Sequence, residues 1–424
     1  MKILIMSNSL NLNSGFSRVA KALILGLRAL GHEMYFVGMQ TSYTPQTYDG
    51  IEMLPLVSSS FDELTQYQII LARIQPDVAI GIFQSDGGTG PGLENFLLSF
   101  KKSIWYTVIE GNYLGSACRS GLKKVIANGG KIVLPSSHGA SQCKIDGIDT
   151  DIIPYGYDPK IIYKKANRET GDEKISLLIW SKEHKQWEGH GIKINELSRY
   201  KGLDKKFIFG TVKQNVGVRH RMERLIKAFS IFISESRQIK DGVILHLHTL
   251  PASYDGMDLM DVIRRIEIEG NCPGIAENVI FSYGDYRSSG WSDTALNELY
   301  NTFDCYCSAS SGEGFGIPTL EAMACGVPVI GPRASAFVEL IGPVFSPGTN
   351  RGLLCEGDYQ RIEDGSERFL VDVKNLAYEM KNIYTNKEKR EGYSKNCLSF
   401  VKGFTWEKQI EKWDKYLKDF AGKT

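Results

Sequence analysis

Glu313 and Glu321 stand eight residues apart in SSGEGFGIPTLEAMACGVPVIG, residues 310–331. Gly312, Gly314 and Gly316 form a turn that lets backbone approach a ligand closely and lets N–H groups converge. Pro318 suits the first turn of a helix. That helix runs to about Cys325, and Gly326 suits its end. The N-terminus of such a helix is a site for a diphosphate. Carboxylates repel phosphates but bind paired hydroxyls, so Glu313 and Glu321 should face the sugar and ribose ends of the ligand. An acidic first turn would explain Glu321 alone. It leaves the rest of the segment unexplained.

Something must hold this turn at the end of a strand. Short apolar runs alternate with helical stretches from the start: KILIMS, MYFVGM, DVAIGIF, SIWYTVI and KIVLPSS. After KILIMS, Val19, Ala22, Leu23, Leu27 and Leu30 recur at helical spacing, and Gly31 stops the helix. Strand–helix–strand at this length reads as βαβ, hence parallel sheets covered by helices. The pattern breaks in a polar stretch and resumes with KFIFGTV, VILHLHT, NVIFSYG, FDCYCSAS and VPVIG. The fold class predicted is α/β, with two facing Rossmann-like doubly wound domains. The first spans residues 1–165. Residues 166–206 form a linker or insertion, residues 207–400 the second domain, and residues 401–424 a terminal helix. Trp406, Ile410, Trp413 and Leu417 give that helix an apolar stripe. A ligand belongs in the cleft, at the carboxyl ends of the strands.

Composition narrows the class. Fifty Lys and Arg against 49 Asp and Glu leave a net charge of +1, which argues against a nucleic-acid binder dominated by phosphate attraction. No run approaches 18 apolar residues, so no membrane-spanning helix is expected. MKILIMSNSL lacks the features of a secretory signal and reads as a buried strand. With eight scattered cysteines, a cytoplasmic protein with reduced thiols is expected. Cys305 and Cys307 read as small buried residues. His246 and His248 read as packed histidines, because no partner at metal spacing accompanies them.

The segment EGFGIPTLEAMACGVPVIG resembles the E-x7-E signature of the family-4 retaining glycosyltransferases of GT-B fold, with Glu313 and Glu321 at the matching places. The resemblance covers most of the chain and implies transfer of a hexose-like group from a nucleotide-diphosphate-sugar, with no further cofactor. It places Glu313 at the donor sugar and Glu321 at the ribose hydroxyls. The N–H groups of Gly314, Phe315 and Gly316 fall near the sugar and phosphates. NLNSGFSRVAKALILGLRALGHEM is similar to the family's glycine loop and first helix, which puts Gly15 and Phe16 on the cleft opposite the donor. Gly15 is otherwise a plain turn residue.

Two departures from the family follow. In GTVKQNVGVRHRMERLIKAF, Arg219 and His220 fall where relatives offer Arg and Lys to the diphosphate. Arg219 or Arg221 then neutralises it, with Lys213 as a spare. A solvated basic helix start is the alternative. Where many relatives place a histidine after the fourth strand, this chain has YTVIEGN. Glu110 is there a candidate for acceptor contact or acid–base help, or a carboxylate capping nearby N–H groups. Asp86 is a weaker candidate. No D-x-D pair lies near the donor turn, so transfer without a divalent metal is expected. The acceptor-side domain is the first, and the acceptor stays open: a glycan, a lipid or a small molecule. Arg119, Lys123, Lys124 and Lys131 admit contact with an anionic membrane, or form a solvated helix face. Rival readings are a nucleotide-sugar epimerase, a phosphorolytic enzyme and a non-catalytic sugar-nucleotide-binding protein. A dinucleotide dehydrogenase is set aside, because SNSLNLNSGFSR lacks G-x-G-x-x-G.

Overall fold

The computed structural model describes residues 1–39, 46–55, 63–84, 90–165, 173–283, 290–342 and 348–422. Asp86 lies outside them. The first sheet comprises β1 (Lys2–Asn8), β2 (Glu33–Met39), β3 (Gln46–Tyr48), β4 (Ile51–Pro55), β5 (Val78–Ile82), β6 (Ser103–Tyr106), β7 (Lys131–Leu134) and β8 (Asp151–Ile152). Their spatial order is β3-β4-β2-β1-β5-β6-β7-β8, and only the β3–β4 pair is antiparallel. All five residues of β5 are buried, as expected of a strand covered on both faces.

The second sheet holds β9 (Lys174–Ser181), β10 (Gln186–Lys193), β11 (Phe207–Val212), β12 (Val243–His248), β13 (Val279–Ser282), β14 (Cys305–Cys307), β15 (Val329–Pro332) and β16 (Gly352–Cys355). Its order is β10-β9-β13-β12-β11-β14-β15-β16. Residues 174–193 therefore do not form a connector. They make a hairpin whose first strand pairs antiparallel with β13. Its first strand, KISLLIWS, is a short apolar run whose signal was hidden by the charged stretches on either side. A separate hairpin of β17 (Gly357–Arg361) and β18 (Glu367–Val371) follows.

The first helix, Gly15–Ala29, starts at Ser14, whose Oγ accepts from Ser17 N at 3.1 Å. Its buried face is Val19, Ala20, Leu23, Ile24 and Leu27. The last helix, Trp406–Gly422, crosses back onto this one. Ile410 sits so close to Gly26 that a Cβ there would lie 2.5 Å from Ile410 Cγ1. Trp413 is fully buried, its ring centroid 4.8 Å from that of Tyr106, while Trp406 is half-buried. All eight cysteines are buried and free. Among the described residues, no helix is long and apolar enough to cross a membrane.

Candidate active site in the interdomain cleft

The glycine turn of residues 312–316 follows β14. Its helix runs Ile317–Ala324, with Gly316 at the N-cap, φ +93°, and proline in the first turn. Gly326, φ +72°, lies just past its end. Glycine is needed at 316 and 326 because side chains strain in that region. Gly312 and Gly314 answer to a different constraint: a Cβ at 312 would lie 2.1 Å from Glu110 O, and one at 314 would lie 2.2 Å from Val108 Cβ. The turn presses its backbone onto the exit of β6 in the first domain.

Glu313 is buried and faces Lys213, which continues β11 and also lies 5.7 Å over the Phe337 ring. Burial pushes the Glu313 carboxyl up, but Lys213, Arg219 and His220 outweigh it and bring it down to about 2. Glu313 N donates to Ser335 Oγ at 2.9 Å. Eight residues on, Glu321 is 2% exposed and accepts from Tyr300 OH at 2.9 Å. Its other oxygen meets Arg18 of the first domain at 2.6 Å, and Arg18 also reaches Asp293 at 2.9 Å. Burial raises the Glu321 carboxyl, with Arg18 pulling the other way.

Arg219 lies on a short helical turn, Gly217–His220, that ends at Arg221 in the left-handed region, φ +48°. Ser311 N donates to Arg219 O at 2.8 Å, tying this turn to the glycine turn after β14. The Arg219 guanidinium reaches Glu110 across the cleft, and Arg368 reaches the other oxygen of Glu110 at 3.1 Å. Arg221 lies apart from this cluster, beside Glu223 at 3.7 Å. His220 is turned inward onto Gln214 O at 2.5 Å, and burial, chiefly, lowers it to about 3, so it is neutral.

Lys213, Arg219, Glu110 and Glu313 thus converge, while Glu321 sits with Arg18 and Tyr300. Gly15 begins the first helix, and the Phe16 ring lies 6.3 Å from that of Phe83. The Phe315 ring packs on Tyr155 and Phe404, at 5.3 and 6.1 Å. His246 and His248 share Ser282 Oγ at 2.8 and 3.0 Å. Among the described residues, no three His, Cys, Asp or Glu are grouped to hold a metal ion. Lys124 pairs with Glu94 at 2.6 Å.

Three residues of this region were not singled out from the sequence. Arg18 sits one turn after Gly15 on the same helix face, so its spacing was a usable signal. His138 Nε2 lies 3.0 Å from Gly111 O, which places a histidine beside the loop after β6 from a different element. Arg368 comes from a hairpin strand with no local mark.

Residues 287–390 match the family described as glycosyl transferases group 1. The match spans the glycine turn, the helix after it and the strands on either side. A segment of 84 residues is 33% identical to the MMP alpha-(1->4)-mannosyltransferase of Mycolicibacterium hassiacum, covering 20% of each chain. Another of 105 residues is 31% identical to the lipopolysaccharide core biosynthesis mannosyltransferase LpsB of Rhizobium meliloti, covering 24% of this chain and 27% of that one. The chain therefore matches only about a fifth to a quarter of the length of these curated relatives. The fold match is complete. The sucrose-phosphate synthase of Thermosynechococcus elongatus superposes with a TM-score of 0.70 at 14% identity over all of both chains. Anabaena HepE, solved with UDP and glucose, gives 0.68 at 14% identity over 99% of this chain and 100% of that one. The two sheets are those of the GT-B fold.

Proposed function

We propose that the chain is a retaining glycosyltransferase that moves a hexose-like sugar from a nucleotide-diphosphate-sugar to an acceptor bound by the first domain. One observation carries the reading: the ionised Glu313, with Lys213 and Arg219, stands at the carboxyl ends of β11 and β14 beside a helix N-terminus. In this reading Glu313 holds the sugar hydroxyls, and Glu321 exchanges Arg18 for the ribose. Arg219 and Lys213, with the N–H groups of Gly314, Phe315 and Gly316, neutralise the departing diphosphate. Fixed cations do there what a bound divalent ion does elsewhere. The donor's own phosphate oxygen takes the acceptor proton on the face the diphosphate leaves, which retains the anomeric configuration. Both oxygens of Glu110 face guanidinia, so Glu110 is better placed to orient the cleft than to shuttle a proton. The two mannosyltransferases among the relatives favour a mannosyl donor, and the UDP bound by HepE favours a uridine base.

A panel of nucleotide-sugars tested for thermal stabilisation identifies the donor. NMR of the glycoside then gives its anomeric configuration. Inversion at the anomeric carbon would refute the retaining mechanism. A changed sugar nucleotide formed without any acceptor would refute transfer.

A further inference from the structure

The β17–β18 hairpin joins neither large sheet. It leans across the cleft instead. Asn112 N donates to Glu367 O at 3.0 Å, Glu367 N donates to Asn112 O at 2.8 Å, and Ser116 N donates to Asp364 O at 3.3 Å. This backbone clasp sets Arg368, the next residue of β18, over Glu110. Nη1 donates to Oε2 at 3.1 Å, with the Glu110 side chain 1% exposed. The other oxygen of Glu110 faces Arg219. One buried carboxylate of the first domain is shared by two guanidinia of the second.

We infer that Arg368 is a positioning residue that keeps Glu110 neutralised when a donor diphosphate engages Arg219. The inference rests on the reading of Arg219 given above. A diphosphate arriving at Arg219 is a second anion beside a buried carboxylate. Like charges in a water-poor site repel strongly, and a buried charge that loses its partner is costly. With Arg368 held by the clasp, Glu110 keeps one guanidinium, and Arg219 turns to the phosphate. The planar guanidinium suits this because it stays charged at any working pH.

Isothermal titration of the full chain with uridine, guanosine and adenosine diphosphates tests it. Arg368→Met should weaken the best-bound nucleotide by about tenfold or more. Arg368→Lys should stay within about threefold of the wild type, because one charge suffices to neutralise another. The combined Glu110→Gln/Arg368→Met variant should recover to within about threefold, because no buried charge is then left to neutralise. A hairpin of merely structural importance would leave the combined variant as weak as Arg368→Met. That result, or unchanged affinity in Arg368→Met, overturns the inference. If Arg368→Met does not fold, Arg368→Gln carries the same expectations, alone and combined. A wild-type chain that binds none of the three nucleotides overturns the proposed function and the inference with it. Normal binding by Arg219→Ala overturns the inference alone.

Discussion

Replacing Lys213 by methionine removes the cation that faces Glu313 while keeping an apolar stem against Phe337. Both partners are buried, with side chains 4% and 8% exposed. Burial works against an ionised Glu313, yet Lys213, Arg219 and His220 carry it from 4.5 down to about 2. At about 1.4 kcal/mol for each tenfold change in proton affinity, the ionised carboxylate holds about 3 kcal/mol of stability at neutral pH. Because the folded value lies below the unfolded one, this contribution is complete above about pH 5 and is lost as pH falls from about 4.5 toward 2. In Lys213→Met the carboxylate either stays charged with weaker support or takes up a proton. Either way the urea midpoint at pH 7 should fall by the equivalent of about 2–3 kcal/mol. The acid-induced loss should also be smaller and finish at a higher pH than in the wild type. Lys213→Met/Glu313→Gln should regain most of the loss, because the amide has no charge to bury. Tryptophan fluorescence in urea at pH 7 and pH 4 reads all of this. A Lys213→Met midpoint equal to wild type, or a double variant no more stable than the single, would refute the argument.

Glu321→Ala should chiefly weaken donor binding and Glu313→Ala chiefly lower turnover, since ribose contacts are equal in ground and transition states and sugar contacts are not. Steady-state kinetics decides, and a Glu313→Ala enzyme with normal turnover and only a raised donor KM would reverse the roles. Arg219→Ala should cost about a hundredfold in turnover, or about 3 kcal/mol, while EDTA should do little. Activity lost to EDTA and restored by magnesium or manganese would overturn the metal-free mechanism. Gly314→Ala places a methyl 2.2 Å from Val108 Cβ, so the domains should part. Small-angle scattering should give a larger radius of gyration, and an unchanged one would count against this packing.

The sequence was most legible where local chemistry and local structure coincide. The turn at 312–316, the helix to Ala324 and the glycine after it follow from residue types a few positions apart, and the structure has them there. The parallel strands were legible because burial on both faces writes a continuous apolar run. β9 and β10 were not, since the apolar run of β9 is short and flanked by charged stretches, and the edge strand β10, QWEGHGIK, is mostly polar. The partners of the site residues were least legible. Arg18 with Glu321, and Arg368 with Glu110, are joined across hundreds of residues, and no periodicity marks such a pair. Arg219 and Arg221 looked alike in sequence. The left-handed turn at Arg221 separates them, and a positive φ at arginine has no signature in composition.

The crossing of the last helix has a consequence for how the chain is made. Trp413 fills the base of a sheet whose own strands end at Ile152, against Tyr106. On a ribosome, Tyr106 is synthesised some 300 residues before its ring partner. At about 5–20 residues per second, that is a wait of roughly 15 to 60 seconds. The first half of the chain is thus born with an open seam where the final helix will lie. It is closed only after the second half has been made and has folded, and the last segment sews the two together. Cutting the gene after residue 165 would not yield a tidy domain. A fusion that joins residues 404–422 to that fragment through a flexible linker is the way to obtain one.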